Sequence, residues 1–224
     1  MNKYCLPIRS ATMSGVLEEI RRHNAYDFFE VWLDYIADLD EIFVGKLAQR
    51  LGGKLVVVFR RQNLEPMHMA PGRRMDILQV LDQTSVLVDL DLATQKRELD
   101  YIGSEGLKIQ TIVSHHDYHK TPSDATLQGI VADMEKYKPA VYKIATMCKS
   151  KVDALLLLNL LLFLKSKKRR FIVLGMGKEG VITRVFGTLW GNELVFAPET
   201  RAKQSAPGQL TRAQMKQIMR VLEG

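Results

Sequence analysis

Ala140-Val141-Tyr142-Lys143-Ile144-Ala145 is an apolar run of strand length, and the very apolar stretch Lys151–Lys165 that follows it has the length of a helix. The same alternation recurs in both directions along the chain. Strand-length runs occur at Tyr4–Ile8, Phe28–Leu33, Leu55–Phe59, Ser85–Asp89, Ile109–Ser114, Arg170–Leu174 and Leu194–Phe196. Helical segments are predicted between and after them at Met13–His23, Leu39–Leu51, Arg73–Gln83, Ala93–Glu105, Asp124–Lys136, a short one near Gly180–Phe186, and Arg212–Leu222. Eight strand–helix pairs result, at roughly 28 residues each, a usual βα repeat. Eight such pairs close into a parallel (β/α)8 barrel, so the expected class is α/β and the expected organisation is a single domain over residues 1–224. An open, doubly wound sheet is the alternative.

Strands buried on both faces should be nearly all apolar, and several here are not. Glu30, Trp32 and Asp34 alternate with Val31 and Leu33, so the polar set shares one face. Lys143 shares a face with Val141 and Ala145, and the fifth apolar run ends in Ser114-His115-His116-Asp117. The third ends in Arg60-Arg61. Polar groups gathered at the C-terminal ends of barrel strands mark a catalytic rim.

Composition narrows the class. At 46% hydrophobic and 25% charged residues the chain can bury a sizeable core. Two cysteines, Cys5 and Cys148, lie far apart and read as reduced thiols. No signal peptide is legible before Pro7, and Ala154–Leu164 is about half the length needed to span a bilayer. A cytoplasmic protein without a membrane segment is expected. The formal net charge is +7, and Lys165-Ser166-Lys167-Lys168-Arg169-Arg170 invites a nucleic-acid reading. That run holds no aromatic residue to stack a base, and a positive field drawing in a small anionic substrate accounts for the charge equally well. No nucleic-acid partner is expected.

A lysine within an apolar strand is either a strand-end side chain reaching solvent or an amine made nucleophilic by its surroundings. The second kind condenses with a ketone to an iminium, an electron sink that acidifies the neighbouring C–H. A base must then serve that carbon, and histidine titrates in the useful range. The preceding strand supplies His116, and Glu30 is a candidate to orient it.

These residues fall within longer motifs. Ser114-His115-His116-Asp117-Tyr118-His119-Lys120-Thr121-Pro122 resembles the S-x-H-D-[FY]-x-x-T-P signature of type I 3-dehydroquinate dehydratases. Lys143-Ile144-Ala145-Thr146-Met147 is similar to the family's K-[IV]-A-x-M strand, and Met176-Gly177-Lys178-Glu179-Gly180-Val181-Ile182-Thr183-Arg184 to its M-[AG]-x-x-G-x-x-S/T-R segment. Ser205-Ala206-Pro207-Gly208-Gln209 matches its S-A-P-G-Q lid, and the four motifs come in the family's order and spacing. The resemblance implies a Schiff-base hydro-lyase of the shikimate pathway, serving aromatic amino acid biosynthesis, that dehydrates 3-dehydroquinate to 3-dehydroshikimate. It implies that Lys143 forms the imine, that His116 rather than His115 moves the protons with Glu30 beside it, and that Arg184 holds the carboxylate of an anionic keto-acid substrate. It implies that Arg60, Ser205 and Gln209 complete the substrate site, that neither metal nor cofactor takes part, and that the chain forms a homodimer. The helix Lys151–Lys165 is a candidate to bury the subunit face.

The chain departs from the family at two places. Trp32 stands where the second strand's E-x-R-x-D pattern has arginine, and Leu64 where a glutamate follows Arg60 by four residues, with Glu65-Pro66 after it. A raised KM for this substrate is expected. Two other functions fit the same residues: a different lysine-imine lyase such as an aldolase, and a non-catalytic barrel relative. Gly175-x-Gly177-x-x-Gly180 also has dinucleotide-loop spacing, but one strand after it is too few for that fold, and backbone amides there suit an anionic substrate better.

Overall fold

The computed structural model describes residues 2–59 and 69–223. Arg60, Leu64 and Glu65 lie outside the described residues. Strands and helices alternate throughout: β1 Tyr4–Ile8, α1 Met13–Arg22, β2 Phe28–Trp32, α2 Glu41–Leu51, β3 Leu55–Val58, α3 Pro71–Val80, β4 Leu87–Asp91 and α4 Lys96–Ser104 come first. Next follow β5 Gln110–Asp117, α5 Asp124–Glu135, β6 Val141–Met147, α6 Lys151–Ser166, β7 Phe171–Met176, α7 Gly177–Trp190, β8 Val195–Phe196 and α8 Arg212–Glu223. The strand order is β7-β6-β5-β4-β3-β2-β1-β8. From β1 to β7 each strand neighbours the next in sequence, and β8 neighbours β1, the order of a (β/α)8 barrel. A doubly wound sheet would instead reverse direction at a switch point.

Contacts gather the chain into two compact units, one of Met1–Leu6 with Val113–Gly224 and one of Pro7–Ile112. Within Pro7–Ile112, β2, β3 and β4 pair in parallel, with Trp32 opposite Val58 and Val58 opposite Asp89. Val56, Val57 and Val58 are fully buried, as expected of a strand covered on both faces. The Asp40 carboxylate caps α2 by accepting from the Phe43 N–H at 2.6 Å, and Pro71 opens α3 where its missing N–H costs nothing. A buried ion pair, Arg74 to Glu98 at 2.8 Å, ties α3 to α4.

In the other unit β6 and β7 pair in parallel, placing Lys143 opposite Ile172, and β1 pairs with β8. Ser150 and Asp153 form a reciprocal capping box that starts α6, whose Leu157, Leu161 and Leu164 are fully buried. Between β7 and the two-residue β8 a side chain does the work of a strand. The Asn192 amide accepts from the Val173 N–H at 2.9 Å and donates to the Val173 carbonyl at 3.1 Å, and the Glu193 N–H donates to the Phe171 carbonyl at 2.8 Å. Gly187 leaves room for that amide, because a Cβ there would overlap it.

The element differing most from the sequence expectation is α7. It runs for 14 residues where a short helix near Gly180–Phe186 was expected. Glycine disfavours helix interiors, so the expected helix began at Gly180 and left Gly177 outside it. The glycines serve packing: Cβ atoms at Gly175 and Gly180 would collide with each other's backbone, and the Thr183 hydroxyl accepts from Gly175 N–H while donating to the Gly180 carbonyl. No described helix is long and apolar enough to cross a membrane.

Candidate active site

Five of the residues singled out in the sequence, Lys143, His116, Arg184, Ser205 and Gln209, lie in the unit of Met1–Leu6 and Val113–Gly224, and Glu30 lies in the unit of Pro7–Ile112. Arg60 is outside the described residues. Strand β6 continues to Met147, so Lys143 is its third residue and not a strand end. The side chain is 5% exposed, which sets aside the reading of a lysine reaching solvent, and its Nζ stands 4.4 Å from the centroid of the Phe196 ring on β8. An ammonium over an aromatic face is held by the ring quadrupole. Phe196 was missed in the sequence because an aromatic residue in a short apolar strand reads as ordinary core.

His116 is the second-last residue of β5, which continues through Asp117 beyond the predicted Ser114, and its ring stacks on Tyr118 at 6.1 Å and 15°. The chain turns sharply after it, because Asp117 Oδ1 accepts from the N–H groups of His119 and Lys120 at 2.8 and 3.0 Å. Short side chains with an oxygen acceptor, Asp and Asn above all, make turns of this type, so Asp117 shapes the loop.

Arg184 on α7 is 6% exposed, and its Nε and Nη2 have no hydrogen-bond partner among the described residues. Burial lowers its pKa to about 10, offset in small part by Cys148. It is therefore a cation throughout the neutral range. A buried guanidinium with free donors is costly unless an anion answers it, and a carboxylate does so through two parallel bonds. Arg184 and Phe196 line the same cavity of about 10 Å³, room for roughly one water. Burial raises the thiol pKa of neighbouring Cys148, which keeps it protonated.

Ser205 and Gln209 close on each other. The Gln209 side-chain amide donates to Ser205 Oγ at 2.9 Å and accepts from the Ser205 N–H at 2.8 Å. Their loop is docked by Gly177, whose N–H donates to the Pro207 carbonyl at 3.2 Å. The expected backbone anion site after β7 is thus partly spent on this loop. Gly208 sits at φ +80°, and a Cβ there would come within 2.5 Å of the Gly177 oxygen. Both the left-handed conformation and the close approach require glycine.

In the unit of Pro7–Ile112, Glu30 is 3% exposed and accepts a hydrogen bond from the Trp32 indole N–H at 3.0 Å. Asp89, on β4, is fully buried. It went unread because it stands last in its predicted strand, where an acid is unremarkable. Asp91, by contrast, holds its own loop, accepting from Ala93 N–H, Thr94 N–H and Thr94 hydroxyl at 3.1 Å each. No group of three or more His, Cys, Asp or Glu among the described residues is arranged to hold a metal ion.

Comparison with solved structures places the fold. The chain superposes on a 3-dehydroquinate dehydratase from Geobacillus kaustophilus with a TM-score of 0.81 at 24% identity, covering 100% of this chain and 91% of that one. It superposes on a type I 3-dehydroquinate dehydratase from Clostridium difficile carrying covalently modified comenic acid with a TM-score of 0.79 at 21% identity, covering 99% and 92%. The fold is therefore the (β/α)8 barrel of these proteins. The family follows from sequence: the type I 3-dehydroquinase model matches residues 4–224, and the chain belongs to that family. Curated relatives include 3-dehydroquinate dehydratases of Alkaliphilus oremlandii, 28% identical over 99% of this chain and 92% of that protein, and Methanococcus vannielii, 29% over 98% and 99%.

Proposed function

We propose that this chain is a 3-dehydroquinate dehydratase, a hydro-lyase of the shikimate pathway working through an imine on Lys143. The family match and the names of its relatives support the reaction. The observation that carries the site is the buried Arg184 guanidinium, whose unused donors suit a substrate carboxylate. Its match along residues 4–224 supports reading the chain as one catalytic domain.

The chemistry balances as the loss of one water. The Lys143 amine adds to the ring ketone and water leaves, giving an iminium. His116 takes the proton from the adjacent carbon, and the electron pair enters the C–C–N system as an enamine. That enamine expels the hydroxyl one carbon further on, and His116 returns the proton to it, so it leaves as water. Hydrolysis of the conjugated iminium restores Lys143 and releases the enone. Glu30 is the candidate to orient the base, on the strength of the motif. Arg60 is proposed on the same ground. Ser205 and Gln209 would exchange their mutual bonds for substrate oxygens as the loop closes and excludes water. This route asks nothing of a metal or cofactor, and a cytoplasmic location fits it.

A homodimer is the assembly we favour. Val152, Leu155 and Leu162 on α6 and Ile182 on α7 are exposed, an apolar face suited to a second copy.

Incubation with 3-dehydroquinate should produce the ultraviolet absorbance of a conjugated enone. Lys143→Ala should abolish it, and His116→Ala should slow it by about 10²–10⁴. Were the wild type inert towards this substrate while forming an imine with another hydroxylated ketone, the reading would pass to a different imine lyase.

A further inference from the structure

Thr121, in the loop that follows His116, bonds through its side chain to β6, the strand that carries Lys143. Its Oγ1 lies 3.0 Å from the Met147 carbonyl, 2.9 Å from Thr146 Oγ1 and 3.8 Å from Cys148 Sγ. Proton accounting fixes the direction of each bond. A hydroxyl has one proton and two lone pairs, and a carbonyl only accepts, so the Thr121 proton goes to Met147. Thr146, which is fully buried, must therefore donate to Thr121. The Cys148 S–H is the remaining donor, directed at the second lone pair at the longer distance usual for sulfur. All three sites of one hydroxyl are used, and all three point into one strand end.

Two other polar side chains of the loop bond locally. Asp117 turns the chain after His116 by accepting from His119 and Lys120 N–H, and Ser123 caps α5 by accepting from Thr126 N–H at 3.3 Å. Neither reaches β6. Along β6, side chains alternate, so Thr146 lies on the face opposite Lys143, and the grip on the strand leaves the amine's side unobstructed.

We infer that Thr121 is a positioning residue: its hydroxyl fastens the loop behind His116 to the strand bearing Lys143, and so sets the base against the imine. This rests on the reading of Lys143 as the nucleophile and His116 as the base. A displacement of about 1 Å between reacting groups is enough to cost roughly a hundredfold in rate, whereas the imine accumulates before the carbon-bound proton moves and is less sensitive to the aim of the base. The clamp should therefore show in the proton-transfer step and not in capture of substrate.

The test compares Thr121→Val, which keeps the shape and removes the hydroxyl, with Thr121→Ser, which keeps the hydroxyl. Both are assayed with 3-dehydroquinate for kcat and KM, and with borohydride for imine on Lys143. Thr121→Val should lose roughly ten- to hundredfold in kcat, hold KM within about threefold, and trap at least as much imine as wild type. Thr121→Ser should recover most of the lost kcat. Unchanged kcat in Thr121→Val overturns the proposal, as does a folded Thr121→Val that no longer forms the imine, or a Ser variant no faster than Val. If Thr121→Val fails to fold, Thr146→Val removes one of the same bonds from the strand side, and it should show the same split at smaller size. An unaltered Thr146→Val would then mean that Thr121 is a structural residue only. A wild type that turns over no 3-dehydroquinate and forms no imine on Lys143 refutes the underlying site reading instead.

Discussion

Arg184 sits under a burial cost in the unliganded protein. Burial lowers its pKa to about 10, so below about pH 10 the folded state holds a desolvated charge that the unfolded state holds in water. The cost is fully present at neutral pH and is relieved only as pH rises from about 10 towards the unfolded value. Arg184→Met should therefore be neutral or stabilising by on the order of 1 kcal/mol in urea melts, while raising KM about ten- to hundredfold. A destabilised variant with unchanged KM would show that the guanidinium serves the fold. Trp32 makes the complementary case. Its single N–H is committed to Glu30 at 3.0 Å, so the indole gives that carboxylate a neutral donor where the resemblance led one to expect a charged one. Trp32→Phe should lower kcat/KM by roughly ten- to hundredfold, and the loss should vanish when Glu30 is already Ala, since contacting residues are non-additive. Additive effects would separate the two. Lys143, His116 and Arg184 were legible because a polar residue stands out in an apolar strand or a motif. Phe196 and Asp89 were not, because aromatic packing and a strand-terminal acid look alike with or without a function; Thr121 was visible within a motif, but its bonds to β6 were not.

Element boundaries moved where backbone groups found unexpected partners. Residues His115 to Asp117 read as the loop after a strand, and the structure extends β5 through them. The start of α7 read as a loop because glycines discourage helix, yet there they allow β7 and α7 to touch. The alternation itself was fully legible, since it depends on apolar period and not on where a helix caps. The join of β7 to β8 was not, because it runs through the Asn192 side chain, and an asparagine before a short strand reads as a turn. Asn192→Ala leaves the Val173 N–H and carbonyl without those bonds and should destabilise by about 1–3 kcal/mol, with KM little changed. Urea unfolding beside steady-state kinetics measures both. An Asn192→Ala protein as stable as wild type would show that the Glu193–Phe171 bond alone suffices to join the strands.

For the whole molecule, charge and surface make separate statements. The +7 charge supplies a field for an anionic substrate, and the motifs add what it would do there. The sequence offered the apolar helix Lys151–Lys165 as a candidate subunit face, but not which of its side chains are exposed. Only the structure shows Val152, Leu155 and Leu162 exposed. Leu155→Glu should convert a dimer to a monomer in sedimentation while leaving the fold intact; wild type sedimenting as a monomer would contradict the assembly. The account as a whole turns on one amine. Borohydride added with 3-dehydroquinate should inactivate the protein, and peptide mapping should place a single substrate-derived adduct on Lys143, absent without substrate. An adduct on another lysine, or turnover that borohydride leaves untouched, would contradict the imine mechanism directly.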